Sequence, residues 1–210
     1  MKERSLRSAP TPSIRRMPRY LRCLHALRSD RAEWVSCTFL ARRLSVDPTL
    51  VRKDLALTGA TGKPKVGFYL PDLIEAVERF IGWDNPEDAF LVGVGHLGTA
   101  LLGFDGFSRH GLNIVAGFDS DPAKIGQRLG ALEVQGIYEM PSEISNCGIE
   151  IAILAVPAAV AQEVAEQLVA AGVKAILNYA PVSLSLPDDV QVQHIDPAAL
   201  LQSMTYYLDK

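Results

Sequence analysis

Cysteine is scarce in this chain. Cys23, Cys37 and Cys147 are an odd number without C-x-x-C spacing, which implies neither a disulfide framework nor a zinc site. Each thiol is expected as a small core residue, and no metal is implied. No apolar run is long enough to span a bilayer, and the N-terminus lacks the apolar segment of a signal peptide. The expected compartment is therefore the reducing cytoplasm, with no membrane partner. Histidine is also sparse: His25, His96, His110 and His194. No His/Lys/Asp constellation stands out among them, so no catalytic residue is expected.

What the chain does have is apolar material and a lopsided charge. At 210 residues and 48% hydrophobic, it can bury one large core, or a small and a medium one. The net charge of −3 conceals a division: residues 1–65 carry 15 Lys/Arg against 5 Asp/Glu, leaving 6 against 19 for the rest. A basic N-terminal module attached to an acidic body suggests a polyanion as partner of the first part. A solvated basic surface would give the same counts.

The most informative stretch is Phe90-Leu-Val-Gly-Val-Gly-His-Leu-Gly-Thr-Ala-Leu102, followed by Phe118-Asp119. A short apolar strand feeds Gly93-x-Gly95-x-x-Gly98, an apolar helix follows, and an acidic residue stands 21 positions beyond Gly98. That layout is a dinucleotide-binding βαβ unit. Gly93 permits the tight turn, Gly95 lets backbone approach a pyrophosphate, and Gly98 lets helix and strand pack closely. The exposed N–H groups at the helix start then favour the phosphate charge, Val94, His96 and Leu97 join the three glycines as candidate cofactor-binding residues, and Asp119 can accept from the adenosine ribose hydroxyls. The absence of Lys or Arg between Phe118 and Ala123 favours NADH/NAD+ over the 2′-phosphorylated cofactor.

In the N-terminal part, residues 1–13 are expected as an arm and Pro18 as the opening of a first helix, with Tyr20, Leu21, Leu24 and Leu27 inward. Cys37–Leu44 suits a second helix, with Phe39, Leu40 and Leu44 inward. After a turn at Ser45-Val46, Asp47-Pro48 starts a third, Asp as N-cap and Pro at the first helical position. Thr49, Arg52 and Lys53 then point outward, the pattern of a helix-turn-helix. The glycine-punctuated basic segment 61–69 predicts a hairpin wing, with Lys63 and Lys65 at its tip. Pro71 opens a further helix that Gly82 ends, and residues 82–88 suit a linker.

Beyond the glycine loop, apolar runs at Leu112–Phe118, Ile149–Val156, Ala175–Leu177 and Val190–Ile195 alternate with helical stretches. This predicts a parallel sheet covered on both faces. Two strand ends, Val156-Pro157 and Asn178-Tyr179-Ala180, are candidates for the nicotinamide half of a bound dinucleotide, although either proline-bearing segment can simply end a strand. Asp196-Pro197 opens a terminal helix with Leu200, Leu201, Met204, Tyr207 and Leu208 along one stripe. The expected class is α/β: a winged helix-turn-helix domain (1–82), a Rossmann-like, mostly parallel sheet domain (83–195) and a C-terminal helix (196–210).

Together, Ser45–Leu70 with Val51-Arg-Lys-Asp-Leu55 at its centre, Gly93–Leu101, Phe118-Asp-Ser-Asp-Pro122, Ile125-Gly126, Val156-Pro157-Ala158, Ala161-Gln162 and Asn178-Tyr-Ala-Pro-Val182 resemble the Rex family of redox-sensing repressors. The resemblance covers roughly Ile14 to the C-terminus. It implies a homodimer with exchanged C-terminal helices, binding palindromic double-stranded operators and released by NADH, while NAD+ leaves the DNA-binding form. It implies DNA contacts from Arg15, Arg16, Arg19, Thr49, Arg52, Lys53, Lys63 and Lys65. Phe68 stands where the family usually has a tyrosine, which would face an acidic partner such as Asp196 of the other subunit; Leu200, Leu201 and Met204 belong to the dimer contact. Thr99 replaces a frequent arginine, which implies weaker cofactor binding. Competing readings are a family paralogue that has lost cofactor sensing, an NAD-dependent oxidoreductase, and a coenzyme A-binding module, against which the placement of Asp119 argues.

Overall fold

A computed structural model describes residues 9–83, 86–109 and 111–205, and the chain divides into two compact units, 1–85 and 86–210.

The N-terminal unit begins with α1 (Thr11–Ser29), earlier than Pro18 suggests. Pro12 falls in the first turn, where its missing N–H is not needed, while Pro18 lies inside the helix. The interior proline removes one backbone hydrogen bond. It is tolerated because Met17, Tyr20, Leu21 and Leu24 are buried along one stripe, and that stripe holds the helix to the core. After β1 (Trp34–Val35) comes α2 (Cys37–Leu44), whose N-cap Ser36 accepts from the Phe39 N–H. Leu40 is buried, but Phe39 is 45% exposed, against expectation. One residue is a 100° step on a helix, so only one of the pair faces inward.

Ser45 takes a left-handed conformation at φ 54° and ends α2. Asp47 then caps α3 (Pro48–Ala56), accepting from the Thr49 and Leu50 N–H groups. Asp47→Ala is expected to cost about 1 kcal/mol, as N-cap removals do. A urea titration of the whole protein checks this; an unchanged midpoint would remove the cap from the account. β2 (Phe68–Tyr69) pairs antiparallel with β1. Before it, Lys63 and Gly67 exchange backbone hydrogen bonds around a turn in which Lys65 has φ 65°. These pieces form the wing. α4 (Leu70–Ile81) follows and ends at Gly82, φ 82°. Leu55, Leu70, Leu73 and Val77 close the core over α1.

In the C-terminal unit, β3 (Glu87–Val92) starts inside the segment read as linker. It is followed by α5 (His96–Leu102), the short α6 (Gly106–Arg109), β4 (Leu112–Asp119), β5 (Arg128–Leu129) and β6 (Leu132–Gly136). Then come α7 (Met140–Cys147), β7 (Ile151–Leu154), α8 (Ala158–Ala171), β8 (Ala175–Asn178), β9 (Gln191–His194) and α9 (Pro197–Thr205). The sheet order is β5-β6-β4-β3-β7-β8-β9. Every neighbour pair is parallel except β5 with β6. Setting aside the short β5, the six strands follow the 3-2-1-4-5-6 order of a doubly wound dinucleotide fold. Side chains alternate across the sheet: Phe90, Val92 and Phe118 enter one core, Leu91 and Ile153 the other. The order reverses between β3 and β7, so a crevice opens at their carboxyl ends.

Candidate functional site

That crevice is a cleft of about 710 Å³. Its floor is the glycine loop. Gly93 has φ 93°, and a side chain there would sit 2.5 Å from the Ala155 carbonyl oxygen of the next strand end. At Gly98 an added Cβ would fall 2.0 Å from the Gly93 oxygen, so this glycine lets α5 pack against the loop. Gly95 differs: beyond its chain neighbours, no atom of the described residues lies within 4 Å of where its Cβ would be. Open space over Gly95, together with the unpaired N–H groups that every helix start presents, is what an anionic group approaching the backbone requires.

Asp119 ends β4 at the cleft's rim. Its Oδ2 accepts from the Val94 N–H at 2.8 Å and the Lys124 Nζ at 2.9 Å, and its Oδ1 from the Asp121 N–H at 2.9 Å. Burial pushes this carboxyl up, but the three donors outweigh it and hold it below the ordinary aspartate range. Asp119 is therefore a fixed anion with lone-pair capacity left on Oδ1, suited to accept from a ribose hydroxyl. Lys124 qualifies the sequence argument about cofactor choice: a cation does reach Asp119, from just beyond the segment that was free of Lys and Arg. Its approach depends on the turn after Pro122, where the Asp121 side chain accepts from the Ala123 N–H.

The cleft brings together Gly93, Gly95, His96, Leu97, Asp119, Val156 and Pro157 of the expected residues. Val94 contributes its N–H to Asp119 while its side chain is buried, and Gly98 lies beneath the loop. Ser120 and Val160 also line the cleft, as do Lys124, Ile137, Glu163 and Gln167, four residues that were not singled out from sequence. The α8 residues follow one another at helical spacing, which marks a face but not which face meets a ligand. Three expected residues are not among the cleft's walls: Asn178, Tyr179 and Ala180. The Asn178 side chain is fully buried and spent on structure, donating to the Val182 carbonyl, accepting from the Ala180 N–H and meeting His194 Nδ1 at 3.1 Å. Tyr179 packs with the core on the Leu91 side. Thr99 is exposed on α5 and is not among the cleft's lining residues.

In the N-terminal unit, Thr49, Arg52 and Lys53 are exposed on α3. Arg52 faces a groove of about 480 Å³ shared with Ser36, Cys37 and the wing's Lys63 and Lys65. Burial pushes the Cys37 thiol up, opposed by Arg52. Lys63 is not loose at the tip: its Nζ lies 4.8 Å above the Trp34 ring. Arg15 and Arg19 are exposed on α1, and Arg19 reaches the Leu44 carbonyl at 3.4 Å. Arg16 must be reassigned. Its Nε and Nη2 clasp the 2%-exposed carboxylate of Asp54 at 2.6 and 2.8 Å, so its guanidinium is a brace inside the unit and not a free DNA contact.

Phe68 is half-buried in β2 beside Val35. Asp196 caps α9, accepting from the Ala198 and Ala199 N–H groups at 3.0 Å. On α9, Leu201 and Met204 are 67% and 61% exposed. The Leu200 side chain, Tyr207 and Leu208 lie outside the described residues. Among the described residues no helix is long and apolar enough to cross a membrane.

A helix-turn-helix with a wing, joined in one chain to a Rossmann unit with an open glycine-loop cleft, defines a ligand-responsive DNA-binding regulator. Comparison with known proteins carries this further. Two family models match, one described as a putative DNA-binding protein N-terminus (residues 8–56) and one as a CoA binding domain (84–182). The redox-sensing transcriptional repressor Rex of Treponema denticola is 46% identical over 88% of each chain. That of Chloroflexus aurantiacus is 46% identical over 95% of this chain and 94% of its own. Among solved structures, RSP in complex with NAD+ and operator DNA matches with a TM-score of 0.91 at 30% identity, covering 96% of this chain and 93% of RSP. RSP in complex with NADH matches at 0.87. The chain belongs to the Rex family of redox-sensing transcriptional repressors.

Proposed function

We propose that this chain is a homodimeric, cytoplasmic repressor that binds a palindromic operator through its N-terminal units and is released when NADH fills the C-terminal cleft. The observation that carries this reading is the cleft itself: a glycine loop open above Gly95 with an ionised Asp119 at the ribose end, in the same chain as an α3 with Thr49, Arg52 and Lys53 exposed. The relatives named redox-sensing repressors, and RSP solved with NADH, NAD+ and operator DNA, support it. The nicotinamide cofactor supplies the redox signal when bound. This chain's part is to orient it: Asp119 holds the ribose, the N–H groups opening α5 hold the pyrophosphate, and Val156 and Pro157 border the way toward the ring. The exposed Leu201 and Met204 on α9 suit burial against a second copy.

The relatives carry the name of a transcriptional repressor and not of an enzyme, which favours a sensor over an oxidoreductase. The family model described as a CoA binding domain shares the fold, but a carboxylate at the ribose opposes the 3′-phosphate of coenzyme A. Moving an operator-bound population from 99:1 to 1:99 needs roughly 5.5 kcal/mol of differential cofactor affinity, which two sites in a dimer would share. The test is operator binding at fixed salt, titrated with NADH, NAD+ and coenzyme A in turn. Release by NADH alone is expected. Indifference to both nicotinamide forms would mean a repressor without the switch.

Lys53→Ala should weaken binding to all sequences similarly. It should also lower the slope of log K against log salt by about 0.9 per lost phosphate contact, about 1.8 for the dimer. An unchanged slope would remove Lys53 from the interface.

A further inference from the structure

Lys124 stands beside Asp119 in the wall of the cleft. Its Nζ lies 2.9 Å from Asp119 Oδ2, its side chain is 34% exposed, and it lines the cleft wall. Its backbone is fixed. The Lys124 and Ile125 N–H groups donate to the Asp121 carbonyl, and the Lys124 carbonyl accepts from the Gln127 N–H. With Val94 N–H and Lys124 both on Oδ2, that oxygen has no lone pair left, and a ribose hydroxyl is directed to Oδ1.

We propose that Lys124 is the specificity-determining partner of Asp119, and this rests on the dinucleotide reading of the cleft. Paired, Lys124 holds the carboxylate in one orientation toward the ribose hydroxyls and offsets part of its repulsion of a 2′-phosphate. Unpaired, it is the ammonium already in place to receive that phosphate. The chain therefore carries both halves of the choice between NAD(H) and NADP(H), and Asp119 decides which one is used. A carboxylate alone would reject the 2′-phosphate by charge; with Lys124 2.9 Å from it that rejection is weakened, and it is lost once the carboxylate's charge is removed and the ammonium is free for the phosphate.

The experiment is direct titration of the full-length dimer with NADH and NADPH, followed by nicotinamide fluorescence, for the wild type, Asp119→Asn, Lys124→Gln and the double variant. Wild type is expected to favour NADH. Asp119→Asn keeps the shape and removes the charge, and should bind NADPH about tenfold tighter than wild type, the size of one charge-assisted hydrogen bond gained. The double variant should lose that gain. Lys124→Gln alone leaves the two backbone donors on Asp119 and should lower NADPH affinity at least about threefold more than NADH affinity. A double variant binding NADPH as tightly as Asp119→Asn would overturn the proposal. So would an unchanged NADPH/NADH ratio in Lys124→Gln, which decides the matter if the Asp119 variants do not fold. Wild type binding neither nucleotide would instead overturn the dinucleotide reading on which the proposal rests.

Discussion

Asp54→Ala is expected to remove about 3 kcal/mol from the N-terminal unit, the low end of what breaking a buried ion pair costs. Asp54 sits on α3 with 2% exposure and is held by the Arg16 guanidinium and by the Tyr20 hydroxyl at 2.7 Å. Burial pushes its carboxyl up, but Arg16, Tyr20 and Ser13 outweigh burial and bring it below its ordinary 3.8. Its folded value is thus depressed. Asp54 contributes stability that is present above the unfolded value and lost as pH falls through the folded one, below about pH 4. Removing it leaves the Tyr20 hydroxyl buried without its acceptor and a charge facing an empty site. Arg16 is 21% exposed and can recover some water, which is why the low end of the range applies.

Urea unfolding of the wild type and the variant across pH 3–7 measures the effect. The difference should be full at neutral pH and shrink in the acid range. A constant difference would mean that the ion pair contributes nothing and that packing alone is lost. Tyr20 gives a second handle. Burial first, then Asp54, raises its hydroxyl to about 12, so the stability it contributes is present below pH 10 and lost as pH rises toward 12. Because Asp54 ties α3 to α1, operator affinity should fall with stability. Nucleotide binding in the other unit should not.

This brace was invisible in the sequence, and the reason is general. Val51-Arg-Lys-Asp-Leu55 reads as an outward basic face because helical periodicity separates faces by residue type, and an aspartate is assigned to solvent by default. Only the tertiary approach of α1, 38 positions away in the chain, puts Arg16 against it. The same limit explains Lys124, whose position on Asp119 depends on a turn. It also explains Asn178, whose strand-end place suggests a ligand but whose amide is consumed by Val182, Ala180 and His194. What was legible was local. Asp47-Pro48 announced α3, and Gly82 announced the end of α4. The spacing from Gly93 to Asp119 announced the βαβ unit, because turn chemistry and strand–helix alternation are written in adjacent residues. Helix starts masked by proline, as in α1, were not legible: burial of the Met17–Leu24 stripe overrides the local cost of Pro18.

The glycine loop gives the clearest separation of folding from binding. Gly98→Ala should be severely disruptive, because its methyl would lie 2.0 Å from the Gly93 carbonyl oxygen. Backbone cannot yield as a flexible side chain does, so α5 must move away from the strand end at a cost of roughly 3 kcal/mol, the upper range for overpacking. Thermal unfolding should shift down and nucleotide binding should vanish with it. Gly95→Ala should behave in the opposite way. Its backbone, φ −83° and ψ −163°, is open to any L-residue, and beyond its chain neighbours no atom of the described residues lies within 4 Å of the added methyl. The protein should unfold at the wild-type temperature or slightly above it, since replacing glycine at a compatible position restricts the unfolded chain. Yet the methyl occupies the space above the loop through which a pyrophosphate would approach the backbone, and NADH affinity should fall about thirtyfold, roughly 2 kcal/mol. Operator binding by Gly95→Ala should then persist at NADH concentrations that release the wild type. If this variant binds NADH like wild type, the ligand does not pass over Gly95. The cleft would then have to be reassigned to a molecule held from the Asp119 rim alone.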